Sequence, residues 1–261
     1  MAERGARVIL ACRNEEKALD AVKQIRILTR NEDVHYQNLD LASFDSVRKF
    51  ATRILNSQKR LDVLVNNAGV VDGVNQKTED GYSLMIQSNY LSSFLLTMLL
   101  LPLLKASPPS RVISLSSFTH KYVNINPEEL STIPQGWNPM LNNIWYFRSK
   151  LCIVLMTVEL ARHLKDSGVT ANCLHPGVVN TNMLNNINVT IIRLFMKVIR
   201  SLVKTSWEGA QTAIYLATSP EVESSGGYYA ECKLTNPSRT ACNVELAKRL
   251  WDTTERLVNF Y

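Results

Sequence analysis

The chain has 261 residues, of which 46% are apolar and 20% are charged, so it can bury the core of one large domain and is not globally disordered. Its 29 basic and 23 acidic residues give a net charge of +6, which suits an anionic cofactor or an anionic membrane surface. The basic residues are scattered and form no Lys/Arg-rich run, so most are interpreted as a solvated surface and no nucleic-acid partner is expected.

Short runs rich in β-branched residues alternate along the chain with longer helical patterns. The predicted strands are Ala6–Cys12, Val34–Leu39, Leu61–Val65, Arg111–Leu115, Val169–Leu174 and Tyr228–Lys233. The predicted helices are roughly Asn14–Thr29, Ser43–Ser57, Gln87–Leu104, Asn143–Ser167 and Trp207–Thr218. This alternation is typical of βαβ units and a parallel sheet. Because no repeat or linker is visible, residues 1–261 are predicted to form a single α/β domain.

The segment Leu91–Leu104 is almost entirely apolar. It is too short to span a bilayer as a helix, and it contains Pro102. A helix that is apolar on all sides is buried, so this one is expected to lie partly in the core and partly in a subunit interface. A homodimer is therefore an open expectation.

The cysteines are odd in number and widely spread. They are Cys12, Cys152, Cys173, Cys232 and Cys242, and no Cys-x-x-Cys occurs. Neither a disulfide framework nor a zinc site is indicated. Since no signal peptide is recognised either, we expect reduced thiols and an intracellular location.

Polar residues and turns follow the ends of several predicted strands. Leu61–Val65 runs into Asn66-Asn67-Ala68-Gly69, Arg111–Leu115 is followed by Ser116-Ser117, and the strand that ends at Leu174 continues as His175-Pro176-Gly177. The carboxyl ends of parallel strands meet at one edge of the sheet, where open α/β folds bind ligands. One crevice is therefore expected to collect Asn66, Ser117, Tyr146, Lys150 and Gly177.

Tyr146 and Lys150 are four residues apart, so on a helix they share one face. A phenol normally titrates near pH ~10, and a nearby cation pulls its pKa down toward neutrality. Such a pair can transfer protons at working pH. The pair alone also fits a half-buried tyrosine beside a solvated lysine, so its surroundings decide between the two interpretations.

Those surroundings resemble the short-chain dehydrogenase/reductase family over nearly the whole chain. The motifs are the Asn66–Gly69 turn, Asn89, Ser117, Tyr146 with Lys150, and Pro176-Gly177. Finer features are similar to the retinol dehydrogenase branch, and they are Arg4–Asn14, Thr78–Gly81, Ser149–Leu151 and Gly226–Cys232. The resemblance implies a Rossmann-like doubly wound parallel sheet with helices on both faces.

The resemblance also implies the catalytic roles. Tyr146 would exchange a proton with the substrate oxygen, and Ser117 would hold that oxygen, with Ser116 as the alternative serine. Lys150 would lower the pKa of the tyrosine and bind the nicotinamide ribose. Asn89 would order a water that relays protons. The residues expected to bind the cofactor are Arg13, Asp40, Asn66, Ala68, Gly69, Tyr146, Lys150, Pro176, Gly177, Val178 and Thr181.

The choice of cofactor follows from the end of the strand Ala6–Cys12. A carboxylate there would bind the ribose 2′-hydroxyl and select NAD, but this chain has Cys12 followed by Arg13. A guanidinium can fork onto a 2′-phosphate, so NADP(H) is predicted. Asp40 matches the position that contacts adenine in the family.

Two further segments bear on the substrate. Ser117 and Tyr146 are 29 positions apart, which matches the longer insert of the retinol dehydrogenase branch. This insert, about Tyr122–Trp137, is expected to border the substrate pocket. The segment Thr190–Lys204 has basic residues along one helical face and is otherwise apolar. It is interpreted either as a lid on the pocket or as a helix that lies on an anionic membrane.

The strand and glycine-rich turn that open the family pattern are not found in this sequence. The start, Met1–Gly5, matches the end of the first family helix, and no Gly-x-x-x-Gly-x-Gly occurs elsewhere. The absent strand would lie between the strands that contain Val8 and Val63, so two ladder edges are predicted to be unpaired. The hypothesis is that this polypeptide binds NADP(H) weakly and is marginally stable.

The sequence thus favours an NADP(H)-dependent oxidoreductase that interconverts alcohol and carbonyl on an apolar substrate, such as a retinoid or a lipid aldehyde. One alternative is a truncated, catalytically silent family member. Another is a steroid or short-chain carbonyl reductase, which would differ only in its pocket lining. The expected location is cytoplasmic, or peripheral on an internal membrane such as the endoplasmic reticulum.

Overall fold

The structure is a computed structural model that describes residues 1–72, 76–132, 139–179 and 203–260, with the backbone alone for residues 139–143. The strands are β1 Val8–Cys12, β2 Val34–Asn38, β3 Val63–Asn66, β4 Ser110–Leu115, β5 Val169–His175, β6 Tyr228–Ala230 and β7 Lys233–Leu234. The longer helices are α1 Glu15–Thr29, α2 Phe44–Ser57, α3 Leu84–Lys105, α4 Pro139–His163, α5 Ser206–Thr218 and α6 Val244–Leu257. Short 3₁₀ helices cover Ala2–Arg4, Phe118–Tyr122, Pro127–Ser131 and Thr240–Cys242.

Polar side chains fix where the helices begin. The Asn14 side chain accepts a hydrogen bond from the Lys17 N–H (2.9 Å), so Asn14 is the N-cap of α1 and not its first residue. Thr205 and Glu208 form a reciprocal capping box at the start of α5. The predicted start of α1 is therefore one residue too early, since a capping residue has a non-helical backbone, and the predicted start of α5 is one residue too late. The prediction Asn143–Ser167 is four residues too late at both ends, since α4 runs from Pro139 to His163.

The predicted strand Tyr228–Lys233 is wrong as a single element. The chain turns back at Glu231 and Cys232, whose φ angles are 52° and 58°, and β6 pairs with β7 in antiparallel fashion. A two-residue turn with both φ angles positive matches the twist of a hairpin. No glycine marks this turn, so the sequence pattern did not predict it.

The parallel order predicted from the βαβ alternation is confirmed, and the ladder is interrupted where expected. β1 pairs with β2 in one two-stranded sheet, while β3, β4, β5, β6 and β7 form a second sheet in that order. The pairs β1–β2, β3–β4, β4–β5 and β5–β6 are all parallel. Among the described residues, β1 pairs only with β2 and β3 pairs only with β4, so the other edge of each of these two strands has no strand partner.

The two faces of these sheets are packed differently. On one face a single large cluster includes Ile9 of β1 and Leu64 of β3, so it bridges both sheets. On the other face Val8 packs in a small cluster beside α1, and Val63 packs in a separate one beside α5. Val65, the next residue of β3 on that face, is 41% exposed. The hydrophobic core is therefore continuous on one face only.

A surface cavity lies on the face of the sheets where the core is split into two separate clusters. It has a volume of about 410 Å³ and lies against the N-terminal 3₁₀ helix and α5, where Arg4, Ile214 and Tyr215 are among its lining residues. The residue Ala2, close by in the chain, is buried in the cluster that holds Val8. The start of the chain thus packs on the smaller sheet.

Helix α3 is longer than predicted and is mainly a core element. By length and composition Leu84–Lys105 could cross a membrane, but 78% of its most apolar window is buried within the fold. Phe94 on this helix packs edge-to-face on Trp251 of α6, with ring centroids 4.8 Å apart. The helix α6 was missed from the sequence, although its buried residues Ala247, Leu250 and Thr254 follow a helical period.

Candidate active site

Three strand ends come together at one edge of the larger sheet. The register pairs Asn66 with Ser114 and Leu115 with Leu174, so β3, β4 and β5 end side by side. Ser117 follows β4 by two residues, and His175 is the last residue of β5. The structure therefore brings together the strand ends at which the sequence predicted a crevice.

The two adjacent serines, Ser116 and Ser117, have different hydrogen-bond partners. The Ser116 hydroxyl donates to the backbone carbonyl of Lys150 (2.7 Å) and is committed to holding α4. The Ser117 hydroxyl lies near the Tyr146 phenol and favours its ionised form. It also accepts the Thr119 N–H (3.3 Å) and so caps the 3₁₀ helix Phe118–Tyr122. The geometry therefore supports Ser117, and not Ser116, as the serine that faces a reacting oxygen.

Lys150 is buried beneath Tyr146. Its ammonium Nζ lies 5.6 Å from the centre of the Tyr146 ring and donates to the Leu115 carbonyl at the end of β4 (2.8 Å). Burial disfavours the charged ammonium and lowers the pKa of Lys150 to about 8. The ammonium is therefore held at the strand edge by a backbone acceptor.

The pKa of Tyr146 departs from the expected direction. Burial disfavours the phenolate and raises this pKa above its ordinary value, and the nearby Ser117 hydroxyl opposes that effect without cancelling it. The prediction that the neighbouring cation would lower the pKa of Tyr146 is thus not met, because desolvation of the buried phenolate is the largest effect on it.

Asn89 has structural partners on both sides of the crevice. It lies fully buried in a π-helical turn of α3, Gln87–Leu91. Its amide accepts the Val70 N–H (2.7 Å) and donates to the Val70 carbonyl (3.0 Å) and to the Ser149 hydroxyl (3.1 Å). Both amide N–H groups are thus used to join the turn after β3 to helix α4. The side chain positions these elements, and its predicted role in ordering a relay water stays a prediction.

The turn after β3 is fixed by Asn66. The buried Asn66 amide donates to Thr97 (3.0 Å) and to Ser114 (3.3 Å), so its side chain points into the protein and supports the strand end. Ala68, two residues further on, is exposed. A direct contact of the Asn66 side chain with a cofactor does not agree with these partners. Its predicted role is therefore better described as shaping the turn that carries Ala68 and Gly69.

Arg13 and Asp40 lie together at the carboxyl ends of β1 and β2. Their side chains are 4.0 Å apart, and the Arg13 side chain is 70% exposed. The Asp40 carboxylate also accepts the Ala42 N–H (2.9 Å), which fixes its orientation. A basic group and an acidic group are therefore presented at the edge of the smaller sheet, as the sequence predicted.

The segment after β5 bends at Gly177. This glycine has φ of +91°, a conformation that side-chain-bearing residues rarely adopt, and a Cβ there would lie 2.8 Å from the Lys204 side chain. The carbonyl of Val178 accepts the Lys204 N–H (2.9 Å). Pro176, Gly177 and Val178 therefore border the crevice beside β5. Thr181 and residues 190–202 of the predicted lid lie outside the described residues.

The insert between Ser117 and Tyr146 is described as far as residue 132. Ile125 and Leu130 bury their side chains in the large cluster, and the Glu129 carboxylate pairs with Arg148 of α4 (2.9 Å). The insert is thus joined to the helix that carries Tyr146. Whether it borders the substrate pocket stays a prediction.

Two histidines near Ser117 were not predicted from the sequence. His120 is fully buried, with its Nδ1 2.6 Å from the Ser117 carbonyl. His175 packs on Phe118, with ring centroids 5.3 Å apart, and its buried Nδ1 has no hydrogen-bond partner among the described residues. Burial lowers the pKa of His175 to about 4. The available signal was position, since His175 ends a strand of the crevice and His120 follows Ser117 by three residues.

Comparisons with known proteins agree with this arrangement. A family model described as enoyl-(acyl carrier protein) reductase matches residues 1–221. Human retinol dehydrogenase 14 is 43% identical over 270 residues, which cover 97% of this chain and 79% of the relative. Human retinol dehydrogenase 13 is 42% identical over 267 residues, which cover 99% and 78%.

Solved structures share the fold. A crystal structure of an uncharacterised protein from Mycobacterium paratuberculosis has a TM-score of 0.76 and 30% identity, and the match covers 99% of this chain and 86% of that one. An actinorhodin polyketide ketoreductase crystallised with NADPH has a TM-score of 0.68 and 20% identity, with 93% and 90% covered. The chain belongs to the short-chain dehydrogenase/reductase family of oxidoreductases, and it is similar to its retinol dehydrogenases.

Proposed function

We propose that this protein is an NADP(H)-dependent oxidoreductase that interconverts an alcohol and a carbonyl on an apolar substrate, of the retinol and retinal type or a related lipid aldehyde. The observation that carries the proposal is the arrangement of Ser117, Tyr146 and Lys150 at one edge of the sheet. The substrate class rests on the 43% and 42% identity to two retinol dehydrogenases. A steroid or a short-chain carbonyl compound is the alternative substrate.

The residues present fit the two ends of a nicotinamide dinucleotide. At one end the buried Lys150 ammonium has three N–H donors, of which the Leu115 carbonyl takes one, so it can also bind ribose hydroxyls. At the other end the exposed Arg13 guanidinium can fork onto a 2′-phosphate, and Asp40 can bind the adenine. The pyrophosphate between them has no Gly-x-x-x-Gly-x-Gly turn in this sequence to receive it.

The chemistry follows from the protein groups at the crevice. A bound nicotinamide would supply the hydride chemistry at the substrate carbon. In the reducing direction Ser117 binds the carbonyl oxygen, and the Tyr146 O–H gives that oxygen its proton, so that C=O becomes CH–OH. The Lys150 ammonium then stabilises the tyrosinate. Because burial raises the pKa of Tyr146, the phenol is protonated at neutral pH and is ready to donate.

Turnover tests the proposal directly. Purified protein is mixed with NADPH and retinal, and the loss of NADPH and the formation of retinol are measured. Removal of the proton donor by Tyr146→Phe is expected to lower kcat by about 10²–10⁴-fold while NADPH binding is kept. If the protein binds NADPH but turns over neither retinal nor other apolar aldehydes, the catalytically silent alternative holds.

The choice of cofactor has its own test. Arg13→Ala is expected to weaken NADPH binding by about 10–100-fold and to leave NADH binding nearly unchanged, because only NADPH carries the 2′-phosphate. Arg249→Ala, an exposed arginine on α6, is the matched control. An unchanged ratio of the two dissociation constants in Arg13→Ala would show that this residue does not select the cofactor.

Membrane contact and dimer formation belong to the same proposal. An apolar substrate is concentrated in membranes, so a peripheral position on an internal membrane such as the endoplasmic reticulum suits the activity. Residues 190–204, the predicted contact, are described only at Val203 and Lys204. Co-sedimentation with anionic vesicles tests the contact, and sedimentation velocity tests the homodimer.

A further inference from the structure

A buried imidazole stands directly behind the candidate catalytic serine. His120 lies in the 3₁₀ helix Phe118–Tyr122 and has no exposed surface. Its Nδ1 is 2.6 Å from the carbonyl oxygen of Ser117, and its Nε2 is 3.1 Å from the backbone nitrogen of Ser238. Both ring nitrogens therefore have a backbone partner, one on each side of the ring.

These two partners allow one state of the ring. The Ser238 N–H can only donate, so Nε2 must be the unprotonated acceptor. The Ser117 carbonyl can only accept, so Nδ1 must carry the hydrogen. A second proton on the ring would place an N–H against the Ser238 N–H. Burial of the ring separately disfavours the charged form and lowers the pKa of His120. The ring is held neutral as the Nδ1–H tautomer.

The charged groups around His120 do not favour its protonation. Lys121 on the same 3₁₀ helix disfavours a charged imidazole, whereas the hydrogen bond to the Ser117 carbonyl favours it, and burial is the largest effect on the pKa of His120. His175 at the end of β5 is a neutral neighbour at pH 7, since its own pKa is lowered to about 4. Tyr228 of β6 packs edge-to-face on the ring, with centroids 4.8 Å apart. The imidazole thus contacts β6, the Ser117 backbone and the backbone at Ser238.

The Ser117 backbone is correspondingly well determined. Its carbonyl accepts hydrogen bonds from His120 Nδ1 and from the His120 N–H (3.3 Å), and its hydroxyl caps the helix at Thr119. On the far side the segment at Ser238 is anchored by Thr240, whose hydroxyl donates to the Asn124 side chain (2.7 Å). The carboxyl-terminal part of the chain is thus connected through one imidazole to the serine that faces Tyr146.

We propose that His120 is a positioning residue that holds the Ser117 backbone so that the serine hydroxyl points at the reacting oxygen. The inference rests on the proposed function of Ser117 and deepens it. His120 itself does not touch the substrate. Its role is to fix the carbonyl of Ser117, and therefore the direction of the side chain on the same residue, against the segment at Ser238.

Three substitutions separate positioning from packing. His120→Asn keeps an N–H donor near the place of Nδ1, His120→Gln places an amide near Nε2 instead, and His120→Phe keeps the volume and loses both bonds. We expect kcat to fall about 100-fold in the Gln and Phe variants and less than 10-fold in the Asn variant, with the dissociation constant for NADPH unchanged in all three. A kcat that falls equally in the Asn and Gln variants, or not at all in the Phe variant, would overturn the proposal.

A measurement without turnover distinguishes a failure of this inference from a failure of the proposed function. Nitrogen-15 NMR of the imidazoles in the wild-type protein should show His120 as the neutral Nδ1–H tautomer at pH 7. The other tautomer, or a charged ring, would contradict the assignment even if the enzyme is active. If the wild type turns over no substrate, the proposed function fails. The positioning claim then stands only if His120→Phe raises amide hydrogen exchange at residues 116–120 more than His120→Asn does.

Discussion

Tyr146 and Lys150 share one face of α4, and burial affects the ionisation of each. It raises the pKa of the phenol and lowers the pKa of the ammonium, because the uncharged form of each group is the one that a buried site favours. The Ser117 hydroxyl and the Leu115 carbonyl are the polar groups that compensate. Burying these two ionisable groups therefore lowers the free energy of unfolding whenever either of them is charged.

At this scale the adjacent serines give a matched pair of variants. Ser117→Ala is expected to lower kcat by about 100-fold, because it removes a donor to the reacting oxygen. Ser116→Ala should keep kcat within a few-fold and lower the free energy of unfolding by about 1 kcal/mol, since it removes only the bond to the Lys150 carbonyl. Steady-state kinetics and urea unfolding of both variants test this. A larger loss of kcat in Ser116→Ala would show that the serines are wrongly assigned.

A second prediction at residue scale concerns the buried ammonium. Lys150→Met should abolish turnover and raise the free energy of unfolding at pH 7 by about 1–2 kcal/mol, because a desolvated charge is replaced by an apolar chain of similar length. The pKa of Lys150 is about 8 in the folded chain and 10.5 when unperturbed. Between these values the unfolded chain binds more protons, so wild-type stability rises with pH and the advantage of the variant shrinks.

The control for this prediction is Lys49→Met. Lys49 is 67% exposed and pairs with Asp45 on the same helix, so its substitution should change stability by less than about 0.5 kcal/mol. Chemical denaturation of both variants at pH 7 and pH 9.5 measures the difference. A Lys150→Met variant that is less stable than the wild type at pH 7 would mean that the lysine stabilises the fold.

At the scale of elements, the π-helical turn in α3 is what ties the crevice together. This turn, Gln87–Leu91, is fully buried, and its Asn89 amide joins the turn after β3 to α4. π-helical turns inside α-helices are frequent at functional sites. The Ser149 hydroxyl, which receives one of these bonds, in turn donates to the Tyr146 carbonyl (2.7 Å). The position of Tyr146 therefore depends on α3 as well as on α4.

Asn89→Leu tests this dependence. The substitution leaves the Val70 backbone and the Ser149 hydroxyl without their buried partner, so the free energy of unfolding should fall by about 2–4 kcal/mol. Urea unfolding measures it, with Asn126→Leu as control, because Asn126 is exposed and its side chain makes no capping hydrogen bond. Equal losses in the two variants would show that the Asn89 bonds contribute nothing to stability.

At the scale of the whole molecule, the divided ladder is the main departure from an ideal doubly wound sheet. One face has a core that bridges both sheets, and the other has two clusters with an exposed Val65 beside them. The β1–β2 unit carries Arg13 and Asp40, while the β3–β7 unit carries the strand ends next to Ser117 and His175. The two ends of the candidate cofactor site thus lie on different sheets.

We expect these sheets to differ in local stability. Amides in the β1–β2 pair, such as Leu10 and Cys12, should exchange with an opening free energy about 1–2 kcal/mol lower than amides of β4 and β5, because β1 is bonded on one side only. Native-state hydrogen exchange resolved by residue measures this. A single opening free energy for both sheets would instead show one cooperative unit.

Local patterns in the sequence determined much of this protein. Hydrophobic periodicity and βαβ alternation predicted the parallel fold and most elements, since each depends on side chains close together in the chain. The motifs also predicted Ser117, Tyr146 and Lys150 as neighbours, because parallel strands end at one edge. Two elements were missed, helix α6 and the turn at Glu231–Cys232. The helix has many charged residues and the turn has no glycine, so neither gives a strong pattern in the sequence.

Only the tertiary structure decided how the site residues are used. It showed that the side chains of Ser116 and Asn66 form hydrogen bonds within the protein. It also showed that the Asn89 amide bonds to Val70 and Ser149, and that the His120 ring bonds to the Ser117 carbonyl. It also reversed the expected direction of the Tyr146 pKa. Burial and hydrogen-bond partners come from residues far apart in the chain, so spacing along the sequence cannot specify them. The sequence thus named the reactive groups, and the packing around them determined their protonation and orientation.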